Sequence, residues 1–225
     1  VIIYKFLKNK NFQMKIRRSY VLGLFMIASV GLSQSLLVTY FISSAQSQTS
    51  EKVEEVQNAV KIEKKSVQQR LAKAALERTK HLVIYNPKYY KIPYPNGDVP
   101  AHFGVCTDVI IRAYREVGID LQKDVHEKMG GDANIAHRRV KVLEKFFKRF
   151  GQSLPVTKNP KAYKPGDVVT FYLKEAISSK DHIAIVSDKI GISGNPMIIH
   201  NIGLGPKLDD DLFSYQIRGH FRYGS

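Results

Sequence analysis

Apolar positions in this 225-residue chain recur every three to four residues through its middle, then give way to short β-branched runs in its last third. Leu71, Ala74, Ala75 and Leu76 mark a helix that starts near Val67 and ends before Asn86-Pro87, because the residue before a proline disfavours helix. Val109, Ile110, Ala113 and Val117 predict a second helix starting at Cys106, just after Gly104-Val105, and closing at Gly118. Ile119 to Met129 reads as a short helical or irregular piece, and Val140, Leu143, Phe147 and Phe150 define a further helix. Lys164-Pro165-Gly166-Asp167 is a turn, after which Val168–Leu173, His182–Ser187, Pro196–Asn201 and Ile217–Tyr223 read as strands. Helices first and strands second predict an α+β fold with helices packed on a small, largely antiparallel sheet.

The N-terminal fifth has a different pattern. Lys5, Lys8, Lys10, Lys15, Arg17 and Arg18 precede a run from Ser19 to Ser50 without a charged residue. Tyr20 to Leu32 suits a signal core, and Leu36 to Ile42 extends it toward the roughly 20 residues of a spanning helix. Ser43-Ser44-Ala45 offers small residues for cleavage before Gln46, so residues 1–45 read as an export signal or a signal anchor. Met14 is a conventional start for such a signal, which makes Val1 to Gln13 the product of an upstream start codon. Residues 46–66 read as a charged helical spacer and 67–225 as the working domain. The positive-inside bias places everything after Gln46 outside the cytoplasm, periplasmic or extracellular, with inner-membrane anchoring through the apolar segment if it is not cut.

A hydrophobic fraction of 44% excludes disorder throughout. Beyond residue 45 the chain keeps 29 of its 35 lysines and arginines against all 20 acids, a net +9. A basic domain outside the cytoplasm suits an anionic cell-envelope polymer or a headgroup surface, and no aromatic-basic motif points to nucleic acid. No metal or other cofactor is expected, since the histidines lack zinc-ligand spacing and no glycine-rich phosphate loop is present.

Export makes the cysteine count informative. Cys106 is the only cysteine, so it cannot be an internal staple. A free cysteine is most often a small buried hydrophobe. At a helix start, however, unpaired amides and the helix dipole stabilise a thiolate, and a neighbouring imidazole can take the proton. His182 opens one predicted strand and His200 closes the next, so antiparallel pairing brings both to one end of the sheet. Cys106, His182 and His200 then fit nucleophile, base and orienting group, with the thiol in reach of the His182 ring and its pKa lowered.

Other residues are candidates for binding. The loop from Asn86 to Gly104 interleaves turn residues with Tyr85, Tyr89, Tyr90, Tyr94 and Phe103, and these aromatics either pin the loop or wall a cleft, Tyr94 foremost. Asn134, His137 and Arg138 precede the basic helix and can face the cleft, although most charges there read as a solvated face. His220 lies between Arg218 and Arg222 and is assigned to binding or packing, not proton transfer.

At these residues the chain resembles the NlpC-type cell-wall peptidases of the papain-like superfamily. Gly166-Asp167-Val168-Val169, His182-Ile183-Ala184-Ile185-Val186 and Ile198-Ile199-His200 follow Cys106 in the order those enzymes use, while Val105-Cys106-Thr107-Asp108 replaces their usual Asp-Cys-Ser-Gly. From about Leu71 to Tyr223 it also resembles a bacterial domain-of-unknown-function family of exported proteins. That resemblance is carried by Gly104-Val105-Cys106-Thr107-Asp108, Asn134-Ile135-Ala136-His137-Arg138-Arg139-Val140, Lys164-Pro165-Gly166-Asp167, His200-Asn201-Ile202-Gly203-Leu204-Gly205-Pro206 and Gly219-His220-Phe221-Arg222-Tyr223. The NlpC resemblance implies a papain-like fold and cleavage of amide bonds in peptidoglycan stem peptides. Papain-like enzymes often use Asn to orient the base, so Asn201 rivals His200 for the third role. The alternatives are an acyltransferase working near the membrane and a wall-binding module without turnover.

Overall fold

The computed structural model describes residues 50, 52–53, 65–174 and 180–224. The expected export segment and most of the spacer lie outside the described residues. The chain divides into two units, Val1–Lys61 and Ile62–Ser225. Of the first, Ser50, Lys52 and Val53 are helical and exposed. No helix among the described residues is long and apolar enough to cross a membrane.

The second unit is a mixed helix-and-sheet structure. Helix α1 (Val67–Arg78) opens on a reciprocal cap, in which Gln69 N donates to Ser66 Oγ and Ser66 N donates to Gln69 Oε1. It stops well short of Asn86-Pro87, because the chain turns at Thr79 to His81 and the next β-branched residues serve a strand. β1 (Ile84–Tyr85) pairs in parallel with β2 (Phe103–Gly104). Helices α2 (Cys106–Glu116), α3 (Leu121–Met129) and α4 (Val140–Phe150) follow, with the 3-10 turn Ala136–Arg138 ahead of α4.

The remaining strands are β3 (Gln152–Ser153), β4 (Val168–Tyr172), β5 (Asp181–Ile190), β6 (Pro196–Asn201), β7 (Pro206–Asp209) and β8 (Gln216–Arg222). They form one sheet in the order β3-β8-β4-β5-β6-β7, antiparallel at every step. The edge strands escape sequence patterning because β3 is only two exposed polar residues and β7 only four residues opened by a proline.

Both faces of the sheet are covered. On one, Val168, Ile183, Ile185, Ile199 and Phe221 pack under the helices, against Leu71, Ile110, Tyr114, Leu143 and Phe147. On the other, Val169, Phe171, Ala184, Val186 and Ile198 are covered by Tyr163 and Leu212. Burial on both faces is why Val168 to Phe171 shows no alternation of buried and exposed positions. At the turn before β4, Gly166 has φ 86, and a Cβ there would stand 2.1 Å from Gln68 O. Only glycine lets α1 and this turn approach so closely.

Candidate functional site

The thiol of Cys106 sits in the first turn of α2 and is buried. Val105, the residue capping this helix, has no side-chain acceptor, so the first amides of α2 are left for other partners. Asp108 turns back instead and accepts from Val105 N at 2.7 Å. The backbone N–H groups of Thr107, Ile183 and Cys106 itself all favour a thiolate. Burial outweighs them, and with Asp108 as the second cause it pushes the thiol up to about 12. The lowered pKa expected from the helix start is therefore not found. The Tyr85 hydroxyl also interacts with the sulfur, and its own pKa is driven up by burial first and Cys106 next.

The thiol opens into a cleft of about 220 Å³, walled in part by Tyr85, Pro87, Val105, Ile135 and Val140. A larger open groove of about 950 Å³ runs past Asp120, Asp124 and Tyr223, but it touches neither the cysteine nor the imidazoles. Chemistry, not size, makes the smaller cleft the candidate.

His182 and His200 meet as the strand order predicts. His182 Nε2 lies 2.8 Å from His200 Nδ1, and His200 Nε2 lies 2.8 Å from Asp209 Oδ2. Burial, then the charges of His200 and Lys207, lower His182 to about 3, and burial is also the main cause lowering His200. Both rings are therefore neutral near pH 7. A carboxylate only accepts, so His200 Nε2 carries hydrogen and its Nδ1 is bare; His182 Nε2–H donates to it, leaving the lone pair of His182 on Nδ1. Asp209 orders this chain through β7, a strand whose register opposes His200 to Lys207 and sets Asp209 two residues on, on the same face.

The residue after His182 meets the thiol, but thiol and imidazole are not partners in a hydrogen bond. Ile183, whose N–H faces the sulfur, packs with Cys106 under the helices. His182 precedes it and pairs with Phe171 on the second face. The strand pleat thus turns the ring away from the side that carries α2. Among the described residues no hydrogen bond joins the thiol to either ring, which corrects the expected contact. Pairing between β5 and β6 stops at Ile185 and Ile199, short of His182 and His200.

The other candidates take local roles. Asn201 is buried; its Oδ1 accepts from Gly203 N at 3.1 Å, and among the described residues its Nδ2 has no partner and no hydrogen bond links it to His182. His200, not Asn201, holds the ring. Arg138 borders the cleft, yet its guanidinium is committed to Asp108 through bonds of 2.8 and 2.9 Å. His137 is buried, lowered to about 4 chiefly by desolvation, and its Nδ1 has no partner among the described residues. Asn134 Oδ1 accepts from Ile92 N at 2.9 Å, and the Tyr94 hydroxyl donates to Glu127 at 3.1 Å, so both pin the long loop. Neither lines the cleft. His220 is stacked on Tyr163 and held between Asp167 Oδ2 at 2.8 Å and Pro155 O at 3.1 Å, remote from the thiol in the hydrogen-bond network.

Sequence reasoning missed Asp209 and gave Asp108 no role of its own, whereas Tyr85, one of the aromatics read as pinning the loop or walling a cleft, does line the cleft. Asp209 stands in an acidic run, Leu208-Asp209-Asp210-Asp211, that reads as a loop, and only its register two residues from the partner of His200 marks it. His200, Asp209 and Asp211 each offer a ligand atom within 4.8 Å of the others and could hold a metal ion. The Lys207 ammonium, 2.7 Å from Asp209, competes with a cation there.

An antiparallel α+β domain with a helix-start cysteine and a histidine pair on adjacent strands is thus the class the structure defines. By its family model, matched over residues 72–223, the chain belongs to the family described as "Domain of unknown function (DUF1287)". It is 41% identical over 167 residues to the "Uncharacterized protein YijF" of Escherichia coli (strain K12), covering 68% of this chain and 80% of that protein. Among solved structures it is similar to NlpC1 and NlpC2 from Trichomonas vaginalis, at 20% and 19% identity and a TM-score of 0.41 for each. Those matches cover 68% and 69% of this chain but only 44% and 46% of theirs. At that score the superposition does not define a shared fold.

Proposed function

We propose that this protein is an exported cysteine hydrolase of papain-like, NlpC-like architecture that cleaves amide bonds in peptidoglycan stem peptides. One observation carries the reading: the hydrogen-bond chain from Asp209 through His200 ends on a bare His182 Nδ1, one residue from the amide that meets the Cys106 thiol. The export pattern of the N-terminus and the net +9 beyond it fit a wall substrate.

In this mechanism the resting pair is neutral. His182 Nδ1 takes the thiol proton as the sulfur attacks the carbonyl carbon, and His200 with Asp209 supports the imidazolium. The Cys106 N–H and its neighbours at the start of α2 stabilise the oxyanion. The proton then goes from His182 to the leaving amine, and water releases the acyl group from sulfur. Because the pleat of β5 turns the His182 ring to the face away from Cys106, this proton transfer requires the start of β5 to swing the ring toward the thiol when substrate binds.

A wall-binding module without turnover is the second reading, favoured by the buried thiol raised to about 12 and the missing thiol–imidazole bond. Incubation of the protein and its Cys106→Ala variant with purified peptidoglycan, followed by mass analysis of soluble fragments, separates the two. Fragments from the native protein alone are expected. Co-sedimentation of both with the wall and release by neither overturns the hydrolase.

A further inference from the structure

The cleft over Cys106 carries one charge that no described residue balances. Four charged side chains border it: Arg138, Arg139, Lys141 and Asp181. Arg138 is buried and neutralised by Asp108. Lys141 lies 3.6 Å from Asp181, which also binds Arg218, and Arg218 in turn binds Glu144, so these two cations face two acids. Arg139 is exposed and, among the described residues, its guanidinium has no hydrogen bond, ion pair or ring contact. It is the residue before α4, where its backbone carbonyl accepts from Val142 and Leu143, so its place in the cleft wall is set by the helix start and not by its side chain.

We propose that Arg139 anchors a carboxylate of the ligand that occupies this cleft, so that the site selects substrates bearing a free carboxylate close to the bond attacked by Cys106. The inference rests on Cys106 being the reacting group. A guanidinium presents a planar fork of donors that matches a carboxylate edge, and its single unbalanced charge matches a monoanion. The remaining walls, Tyr85, Pro87, Val105, Ile135 and Val140, carry no charge and supply no competing cation. Arg138, one residue earlier in the sequence, is excluded as the anchor because its Nε and Nη2 bind Asp108 and its Nη1 donates to Lys88 O.

Two reagents of nearly the same size test the charge directly. Iodoacetate and iodoacetamide both place a methylene carbon before the sulfur; the sulfur displaces iodide to form a thioether, and the thiol proton leaves to base. The ratio of their rates at Cys106 is measured at pH 8.5 in the full chain, in Arg139→Gln and in Lys141→Gln. The ratio of iodoacetate to iodoacetamide is expected to fall roughly three- to fivefold in Arg139→Gln, the size of a partly exposed ion pair, and to stay near the native value in Lys141→Gln. Arg139→Lys should restore only part of the preference, since it keeps charge without the fork. An unchanged ratio in Arg139→Gln, or an equal fall in Lys141→Gln, overturns the anchor while leaving the reactive thiol intact. Failure of both reagents to modify the folded native chain overturns the reactive thiol and the anchor with it.

Discussion

Asp209 accepts the Nε2 hydrogen of His200 at 2.8 Å, and this one bond sets the direction of every proton behind it. Replacing the carboxylate with an amide of the same shape removes the obligate acceptor. Asp209→Asn can donate to His200 Nε2, which reverses both imidazole tautomers and moves hydrogen onto His182 Nδ1. The expected outcome is a loss of hydrolysis of at least tenfold, on the order of the energy of one charge-assisted hydrogen bond. Nitrogen chemical shifts of His182 should show the change of tautomer in the same variant, a signal that a purely structural role would not move.

The buried thiol predicts a specific pH profile. Its folded pKa is raised to about 12, above the unfolded value near 8.5. Between those values the folded state holds a proton that the unfolded state has lost, so stability is present below about pH 8.5 and declines as pH rises toward 12. Cys106→Ala should flatten that decline in urea titrations from pH 8 to 11. Alkylation of the native chain should likewise keep accelerating through this range instead of levelling near neutral pH.

His182 predicts the mirror image in acid. Its folded pKa is lowered to about 3, so between 3 and about 6.5 the unfolded state binds the extra proton. Stability from this group is complete above about pH 6.5 and is lost as pH falls toward 3. His137, lowered to about 4, acts in the same direction over a narrower window. His182→Gln should make the acid limb of a stability curve shallower, and equal slopes for variant and native protein would contradict the burial that the structure assigns to this ring.

Arg138 and Asp108 are both buried and joined twice, so removing either partner strands a charge. Arg138→Ala should cost about 3–5 kcal/mol in chemical denaturation, the usual consequence of breaking a buried pair from one side. The pair also ties the turn Ala136–Arg138 to the start of α2, as does Thr107 Oγ1 donating to Arg138 O at 3.0 Å. Loss of stability should therefore come with a change in alkylation of Cys106.

His220 offers the opposite combination. It braces Asp167, which also receives Arg222 Nε at 2.8 Å and Lys164 N at 2.8 Å, and so ties β8 to the turn before β4. His220→Ala should lower stability by about 2–4 kcal/mol, from the lost packing and the loosened buried carboxylate. The ratio of iodoacetate to iodoacetamide reactivity at Cys106 should not change, because His220 belongs to a separate hydrogen-bond network.

The local pattern of side chains determined most of the elements. Period in Val109, Ile110 and Ala113 placed α2 and put Cys106 at its start, and the runs around Ile183 and Ile198 placed β5 and β6 with their histidines at one end. These features are legible because burial of one face imposes a repeat on neighbouring residues. Tertiary structure decided what each end of that pattern meets. Asp209 joined His200 through a four-residue edge strand too short to show a pattern, and β-register, a relation between distant residues, leaves no local trace. The pleat of β5 turned His182 to one face and Ile183 to the other, and packing around Cys106 set burial against the helix start and raised the thiol. Desolvation sums over every atom that surrounds a group, so no reading of nearest neighbours along the chain contains it.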